Sequence, residues 1–144
     1  MSVKAFIGII LLVVLLMALA IWSAGCASGT DALRQTITNT ATATAAGYRT
    51  IHIIDKKAQE LIQAKAKLGD VAGAKASLET HLKRYDVASK VLDVAVTTTE
   101  AANAALPALE KGLRGDKDVS GWISTLLKLA ADITSAVHGL EEAH

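Results

Sequence analysis

The sequence has few of the residues that build disulfide-linked folds, large aromatic cores or thiol-based active sites. Of 144 residues, one is cysteine, one is proline and 3% are aromatic. A lone cysteine cannot form a disulfide within the chain, so in an exported protein it needs another use, such as intermolecular pairing, reactivity or modification. Because Pro107 is the only proline, helices can run long before one is disturbed or ended there. With few aromatic residues, the core must consist of Ala, Leu, Ile and Val, which favours helices packed through small side chains.

Length and charge narrow the class of protein further. A chain of 144 residues favours a single domain. The formal net charge of +1 lacks the basic excess of proteins that bind nucleic acid. We therefore expect no nucleic-acid partner.

The longest uncharged stretch is apolar and runs from Ala5 to Trp22. Its 18 residues fall within the range of roughly 17–25 that a membrane-spanning helix needs. A cleaved signal peptide has a basic start, an apolar segment of about 7–15 residues and a small-residue cleavage site. Lys4 provides the basic start, and the small residues are Ser23-Ala24-Gly25. Residues 1–25 are therefore predicted to be a signal peptide or a signal-anchor helix.

Residues 1–26 resemble the signal of bacterial lipoproteins. The lipobox of that family has small or apolar residues at four positions before an obligatory cysteine, and here it reads Trp22-Ser23-Ala24-Gly25-Cys26. Ser23 departs from the leucine that is usual at its position. The resemblance implies that diacylglycerol is attached to Cys26, that the chain is cleaved before it and that the new amine is acylated. The alternative is an uncleaved anchor with Cys26 at its end.

The same resemblance implies a location. In Gram-negative lipoproteins an aspartate after the cysteine tends to retain the protein at the inner membrane, and here Ala27 holds that position. We therefore expect the bacterial cell envelope, at the outer membrane facing the periplasm if the host is Gram-negative. Without cleavage, the alternative is a single-pass protein of the inner membrane.

Residues 26–50 are rich in threonine and alanine and permit two structures. Thr30-Asp31 can cap a helix on which Leu33 and Ile37 share an apolar face. The alternation of Thr and Ala also permits an extended tether between the membrane and the domain. We favour the start of a helix.

Residues 51–144 carry the pattern of a helical hairpin within a bundle. A first seam has the alternating spacing of packed helices and consists of Ile51, Ile54, Ala58, Leu61, Lys65 and Leu68. A second seam consists of Leu78, Leu82, Tyr85, Leu92, Val96, Thr99 and Leu106. Between them, Gly69 suits a helix C-cap and Asp70 an N-cap. Two long antiparallel helices are predicted, with their turn at Gly69-Asp70.

A shorter third helix is predicted after the glycine-rich loop 112–121, with Ser120 as its N-cap. Its apolar stripe consists of Trp122, Leu126, Leu129, Ile133, Val137 and Leu140. Helices that lie on membranes usually have a polar face rich in Lys and Arg, which this one lacks, so we expect it to pack on the hairpin. The predicted fold class is therefore all-α: a signal or anchor helix, a long antiparallel hairpin and a shorter third helix.

Charge differs between the two halves of the chain after the apolar stretch. Residues 26–85 have nine basic and five acidic side chains, and residues 86–144 have five basic and nine acidic. Opposite signs suit helices that lie against each other. The basic cluster of the first half consists of Lys56, Lys57, Lys65 and Lys67. It is either a solvated helix face, which is the simpler interpretation, or a contact for an anionic partner such as lipid headgroups.

The sequence contains no motif for catalysis or cofactor binding, such as a P-loop, a dinucleotide fingerprint or a zinc-binding cysteine pair. No two histidines are three or four positions apart, so no helix presents a histidine pair to a metal. His138 with Glu141 and Glu142 is a weak metal candidate, and a solvated helix end is the simpler interpretation. We predict a non-enzymatic protein with no catalytic, cofactor or metal site, in which Cys26 is the lipidated residue.

The predicted function is that of an envelope lipoprotein that acts as a structural or protein-interaction module. Its expected partners are membrane lipid, through Cys26 or the N-terminal helix, and a protein partner or a second copy of the chain. The alternative is a single-pass inner-membrane protein, for example one of phage origin, that acts in envelope disruption or in assembly of a membrane complex.

Overall fold

The computed structural model describes residues 29–112 and 116–142, and in these ranges the protein is a bundle of three α-helices. The helices are α1 (Gly29–Lys67), α2 (Val71–Glu110) and α3 (Asp116–Glu141). α1 and α2 are the arms of an antiparallel hairpin, and α3 packs against both of them. The predicted all-α hairpin with a shorter third helix is confirmed for these ranges. The predicted signal or anchor helix and Cys26 lie outside the described residues.

The first arm begins in the Thr/Ala-rich stretch. Of the two structures considered for residues 26–50, the helix is present from Gly29 onward. The buried positions follow an unbroken repeat of four and three residues: Leu33, Ile37, Thr40, Thr44, Gly47, Ile51, Ile54 and Ala58. Several threonine hydroxyls bond the carbonyl four residues earlier, as Thr44 does to Thr40 (2.8 Å) and Thr50 to Ala46 (2.9 Å). These bonds satisfy the buried hydroxyls of Thr44 and Thr50 within the helix. The hydroxyl of Thr40, also buried, has no hydrogen-bond partner among the described residues.

The turn between the arms is fixed by its backbone. Gly69 has a φ of +85°, a left-handed conformation that glycine adopts without steric strain. Gly69 N–H donates to the carbonyl of Ala66, and Asp70 N–H donates to that of Lys65, which is a Schellman motif. The carboxylate of Asp70 then accepts a hydrogen bond from Gly73 N–H (2.9 Å) and caps α2. The predicted turn at Gly69-Asp70 is confirmed.

The core consists of two apolar clusters with a band of small residues between them. The cluster nearer the turn contains Ile51, Ile54, Ala88, Leu92, Ala95, Ile133, Val137 and Leu140. The cluster at the other end contains Leu33, Ile37, Ala102, Leu106, Leu109, Val119 and Leu126. The band between them includes Thr40, Ala43, Thr44, Thr99 and Ala130. Small side chains in this band allow the three helices to approach one another closely.

The third helix packs as predicted but begins earlier. The residues of its stripe from Leu126 to Leu140 are buried, and Trp122 packs against the cluster that contains Leu33. The predicted N-cap at Ser120 is wrong, because α3 begins at Asp116 and the Ser120 hydroxyl donates to the Lys117 carbonyl inside the helix. Pro107 lies inside α2, which ends three residues later at Glu110.

The second predicted seam is wrong at several positions. Leu78, Leu82 and Val96 are 40%, 56% and 36% exposed. The buried residues of α2 are Ala74, His81, Ala88, Leu92, Ala95, Thr99, Ala102, Leu106 and Leu109. Small residues and a histidine therefore hold positions that the prediction gave to larger apolar neighbours. None of the described helices is both long and apolar enough to cross a membrane.

Candidate functional site

The hairpin extends well beyond the third helix at its turn end. α3 has 26 residues, whereas the arms have 39 and 40, so α3 is shorter by about 20 Å at about 1.5 Å per residue. Near the end of α3, Arg84 Nη1 donates to the Gly139 carbonyl (2.5 Å), and Leu140 joins the cluster that contains Ile54. Past this level, α1 and α2 are the only described helices. We call residues 56–83 the hairpin tip.

A buried histidine joins the two arms where the tip begins. His81 is 1% exposed, and its Nε2 lies 2.8 Å from Asp55 Oδ1 on the other arm. The ring of His81 is also 6.0 Å from that of Tyr85, at a tilted angle. Farther along the tip, Lys65 Nζ donates to Ser77 Oγ across the hairpin (2.7 Å). Polar contacts thus hold the arms together where the apolar core thins out.

Large apolar side chains of the tip face solvent. They are Leu61 at 50% exposure, Leu68 at 86%, Val71 at 68%, Leu78 at 40% and Leu82 at 56%. The highest values are next to the turn. Leu61 and Leu68 continue the repeat that is buried lower in α1, and the prediction that they are part of a buried seam is wrong because no described helix covers them. The tip therefore carries five exposed large apolar side chains, of which the two most exposed lie beside the turn.

The tip is also basic. It has six lysines, Lys56, Lys57, Lys65, Lys67, Lys75 and Lys83, and three acidic residues, Glu60, Asp70 and Glu79, which gives a net charge of +3. The rest of the chain from Cys26 onward has eight basic and eleven acidic residues, a net charge of −3. All six lysines are exposed. The exposed apolar residues therefore lie within a positive surface at one end of a long molecule.

A groove between α1 and α2 is a second candidate surface for contacts. It comprises two adjoining cavities of about 300 and 530 Å³ that share Ala41, Thr99 and Glu100. Tyr48 lies at its margin and donates a hydrogen bond to Asp93 Oδ1 (2.5 Å). This hydrogen bond, with burial and the negative charge of Asp93, raises the pKa of Tyr48 to about 12.

The lining of the groove suits packing more than catalysis. The hydroxyl of Thr99 is buried, with no hydrogen-bond partner among the described residues. Glu100 supplies the carboxylate of a lining otherwise made largely of alanine, threonine and other uncharged residues. Small side chains of this kind allow another helix to approach the surface closely.

The histidines considered as metal ligands are dispersed. Among the described residues, no three His, Cys, Asp or Glu side chains lie together in a way that can hold a metal ion. His138 Nε2 is 3.2 Å from Glu142 Oε1 at the exposed end of α3. His52 is exposed, and His144 lies outside the described residues.

The predicted lipidation residue also lies outside the described ranges, but its position in the chain is informative. Cys26 precedes the start of α1 at Gly29 by three residues. Since the hairpin turn follows the other end of α1, the 39 residues of this helix place about 58 Å between its start and the tip. The start of α1 at Gly29, three residues after Cys26 in the sequence, is therefore at the opposite end of the hairpin from the exposed apolar residues of the tip.

Comparison with known proteins identifies no relative: no protein-family model, curated protein or solved structure matches the chain.

Proposed function

We propose that the protein is a membrane-anchored, non-enzymatic module of the bacterial cell envelope that presents a helical surface to partners. The observation that carries this proposal is the short connection between Cys26 and the bundle. Only Ala27 and Ser28 separate Cys26 from Gly29, where α1 begins. Any anchor at Cys26 therefore holds the base of the hairpin close to the membrane.

A lipid anchor is the form of attachment that the residues before Cys26 favour. Diacylglycerol on the thiol and a further acyl chain on the new amine give three chains. Each buried methylene contributes about 0.8 kcal/mol, and stable anchoring generally takes two chains or signals. Three chains hold the bundle at the membrane without a protein span. With Ala27 after the cysteine, the proposed location is the outer membrane, facing the periplasm, in a Gram-negative host.

The surfaces of the bundle support interaction rather than chemistry. The exposed residues of the tip and the small residues of the groove suit contact with another surface or helix. His81, whose imidazole is a group that can transfer protons, is buried between the arms and contacts Asp55. A protein partner or a second copy of the chain is the proposed occupant of the groove.

The experiment that tests the proposal is the intact mass of the protein extracted from membranes. The wild-type chain is expected to start at Cys26 and to carry added lipid mass. Cys26→Ser removes the thiol that accepts diacylglycerol, so this variant is expected to keep residues 1–25 and to carry no lipid. Ser28→Ala, two residues later, is the matched control and is expected to behave as wild type.

The opposite result favours the second candidate function. A wild-type chain that keeps Met1 to Gly25 and a free thiol contradicts the lipoprotein proposal. The apolar stretch from Ala5 to Trp22 is long enough to span a bilayer, and the protein is then a single-pass inner-membrane protein that acts in envelope disruption or in assembly of a membrane complex.

A further inference from the structure

We infer that the hairpin tip binds an anionic lipid surface, with Leu68 and Val71 inserted among the lipids and the neighbouring lysines at the phosphate headgroups. This site is at the opposite end of the bundle from Gly29, where α1 begins. The inference therefore stands whether the N-terminus is lipidated or remains as a span.

Among the exposed apolar residues of the tip, the two beside the turn are the most exposed. Leu68 and Val71 flank the turn and are 86% and 68% exposed. Protein segments at membrane interfaces bury their apolar groups about 5–10 Å deep. At about 1.5 Å per residue, that depth corresponds to roughly three to seven residues of each arm, which reaches Leu61 and Leu78. An end-on contact of this depth thus covers four of the five exposed apolar residues of the tip.

In the same end-on arrangement, the lysines near the turn are placed to contact the headgroups. Lys65, Lys67 and Lys75 lie within four residues of Leu68 or Val71 and are exposed. Lysine can lay its methylene chain along apolar groups while its ammonium reaches phosphate, and an anionic membrane surface attracts each such charge. One of the three acidic residues of the tip, Asp70, lies at the turn itself, where its carboxylate accepts a hydrogen bond from Gly73 N–H.

The other two acidic residues of the tip are farther from the proposed contact. Glu60 and Glu79 are each eight residues from Leu68 or Val71, or about 12 Å along the arms. When the tip is inserted by about 10 Å, carboxylates at this distance lie at or outside the surface of the membrane. Residues 61–78, the segment proposed to enter the lipid surface, therefore contain three lysines and one carboxylate, Asp70, which gives a net charge of +2.

The same observations disfavour other occupants of the tip. Two copies meeting tip to tip bring together surfaces that each carry a net charge of +3, and like charges repel. A helix from an acidic protein, lying along the arms, would cover Leu61 and Leu78 but would leave the end of the hairpin uncovered. The greatest exposure is at that end, which a planar lipid surface covers directly.

The test uses the full chain with its N-terminal region held in nanodiscs of phosphatidylcholine, which is neutral. Capture of these nanodiscs by a second set of vesicles is then measured by flotation. We expect capture by vesicles that contain phosphatidylglycerol and little capture by vesicles of phosphatidylcholine alone. Protein-free nanodiscs show the background.

Paired variants separate the apolar and the charged contributions. Leu68→Ser with Val71→Ser removes the inserted groups, and Lys65→Gln with Lys67→Gln and Lys75→Gln removes the charges. Each set is expected to weaken capture by about tenfold or more. Val87→Ser with Val94→Ser is the apolar control, since both valines are more than half exposed but lie outside the tip. Lys90→Gln with Lys111→Gln and Lys128→Gln is the charge control.

Each remaining outcome overturns the inference. Equal capture by the two kinds of vesicle, no capture, or the same loss in tip and control variants removes the proposed lipid contact. Capture that soluble polyglutamate abolishes and that Leu68→Ser with Val71→Ser leaves unchanged indicates an acidic protein partner instead. Circular dichroism establishes that each variant keeps the helical content of the wild type, so that loss of capture reports on the surface.

Discussion

At the scale of single residues, Gly47 determines how closely the three helices approach. A Cβ at this position would lie 2.6 Å from Leu92 Cδ2 and 3.2 Å from Ile133 Cγ2. The first distance is shorter than real Cβ contacts allow, so a larger residue must displace Leu92 or separate the helices. The space beside Gly47 is therefore occupied by Leu92 and Ile133 of the cluster nearer the turn.

Replacing this glycine is expected to destabilise the bundle. Gly47→Ala should lower the free energy of unfolding by about 1–3 kcal/mol, as overpacking does, although alanine in an exposed helix position is more favourable than glycine by up to about 1 kcal/mol. Gly121→Ala is the matched control, because Gly121 is an exposed residue of α3 and its added Cβ would meet no described atom within 4 Å apart from its chain neighbours and the nearby backbone of its own helix. Denaturant titration followed by circular dichroism in mild detergent measures both. Equal stabilisation by the two substitutions would contradict the close approach at Gly47.

At the scale of the helix, α2 shows which apolar residues the bundle uses. Leu92 is 1% exposed and belongs to the cluster nearer the turn, whereas Leu82 is 56% exposed on the tip. Leu92→Ala is expected to lower the free energy of unfolding by about 2–5 kcal/mol, the usual range for a buried leucine. Leu82→Ala is expected to change it by no more than about 0.5 kcal/mol. The pair makes the same chemical change in one helix, and a comparable loss for both would show that Leu82 is buried.

The sequence predicted the helices better than it predicted their buried faces. The cap residues and the repeat in α1 were sufficient to place the turn at Gly69-Asp70. In α2 the prediction followed the largest apolar residues and chose Leu82 and Val96, whereas the structure buries His81 and Ala95 beside them. An alternating repeat of three and four residues is present in α2, but alanine and histidine contribute little to a hydrophobic pattern. The arms can bury them because small residues permit close packing and because His81 Nε2 lies within hydrogen-bond distance (2.8 Å) of Asp55 Oδ1.

The exposure of the tip residues could not be predicted from the sequence pattern of either arm alone. Leu61 and Leu68 have the spacing of core residues, and their exposure depends on where α3 ends. The relevant sequence signal was the length of the third stripe, which runs only from Trp122 to Leu140. Comparing that length with the arms would have shown that a third helix of this size cannot cover the turn end. Four of the six tip lysines, Lys56, Lys57, Lys65 and Lys67, form the predicted basic cluster, but without the exposed leucines beside them a solvated face is the simpler interpretation.

At the scale of the whole molecule, the described helices form a rod with different ends. At its base α1 begins, three residues after the proposed anchor Cys26 in the sequence, and Arg34 and Glu110 form an ion pair between the arms. The other end carries the exposed apolar residues and a net charge of +3, and the rest of the chain from Cys26 carries −3. This separation suits a protein that is held at one surface and makes contact at a distance from it.

The height of the tip above the membrane tests this account most directly. Fluorophores are placed on Leu68→Cys at the tip and, in a separate chain, on Lys111→Cys at the base, and energy transfer to labelled lipid headgroups is measured in neutral nanodiscs. A lipidated Cys26 leaves the introduced cysteine as the one free thiol. The tip label is expected to lie farther from the bilayer than the base label by about 58 Å, the length of α1. Equal transfer from the two positions would show that the bundle lies flat on the membrane and would contradict the account.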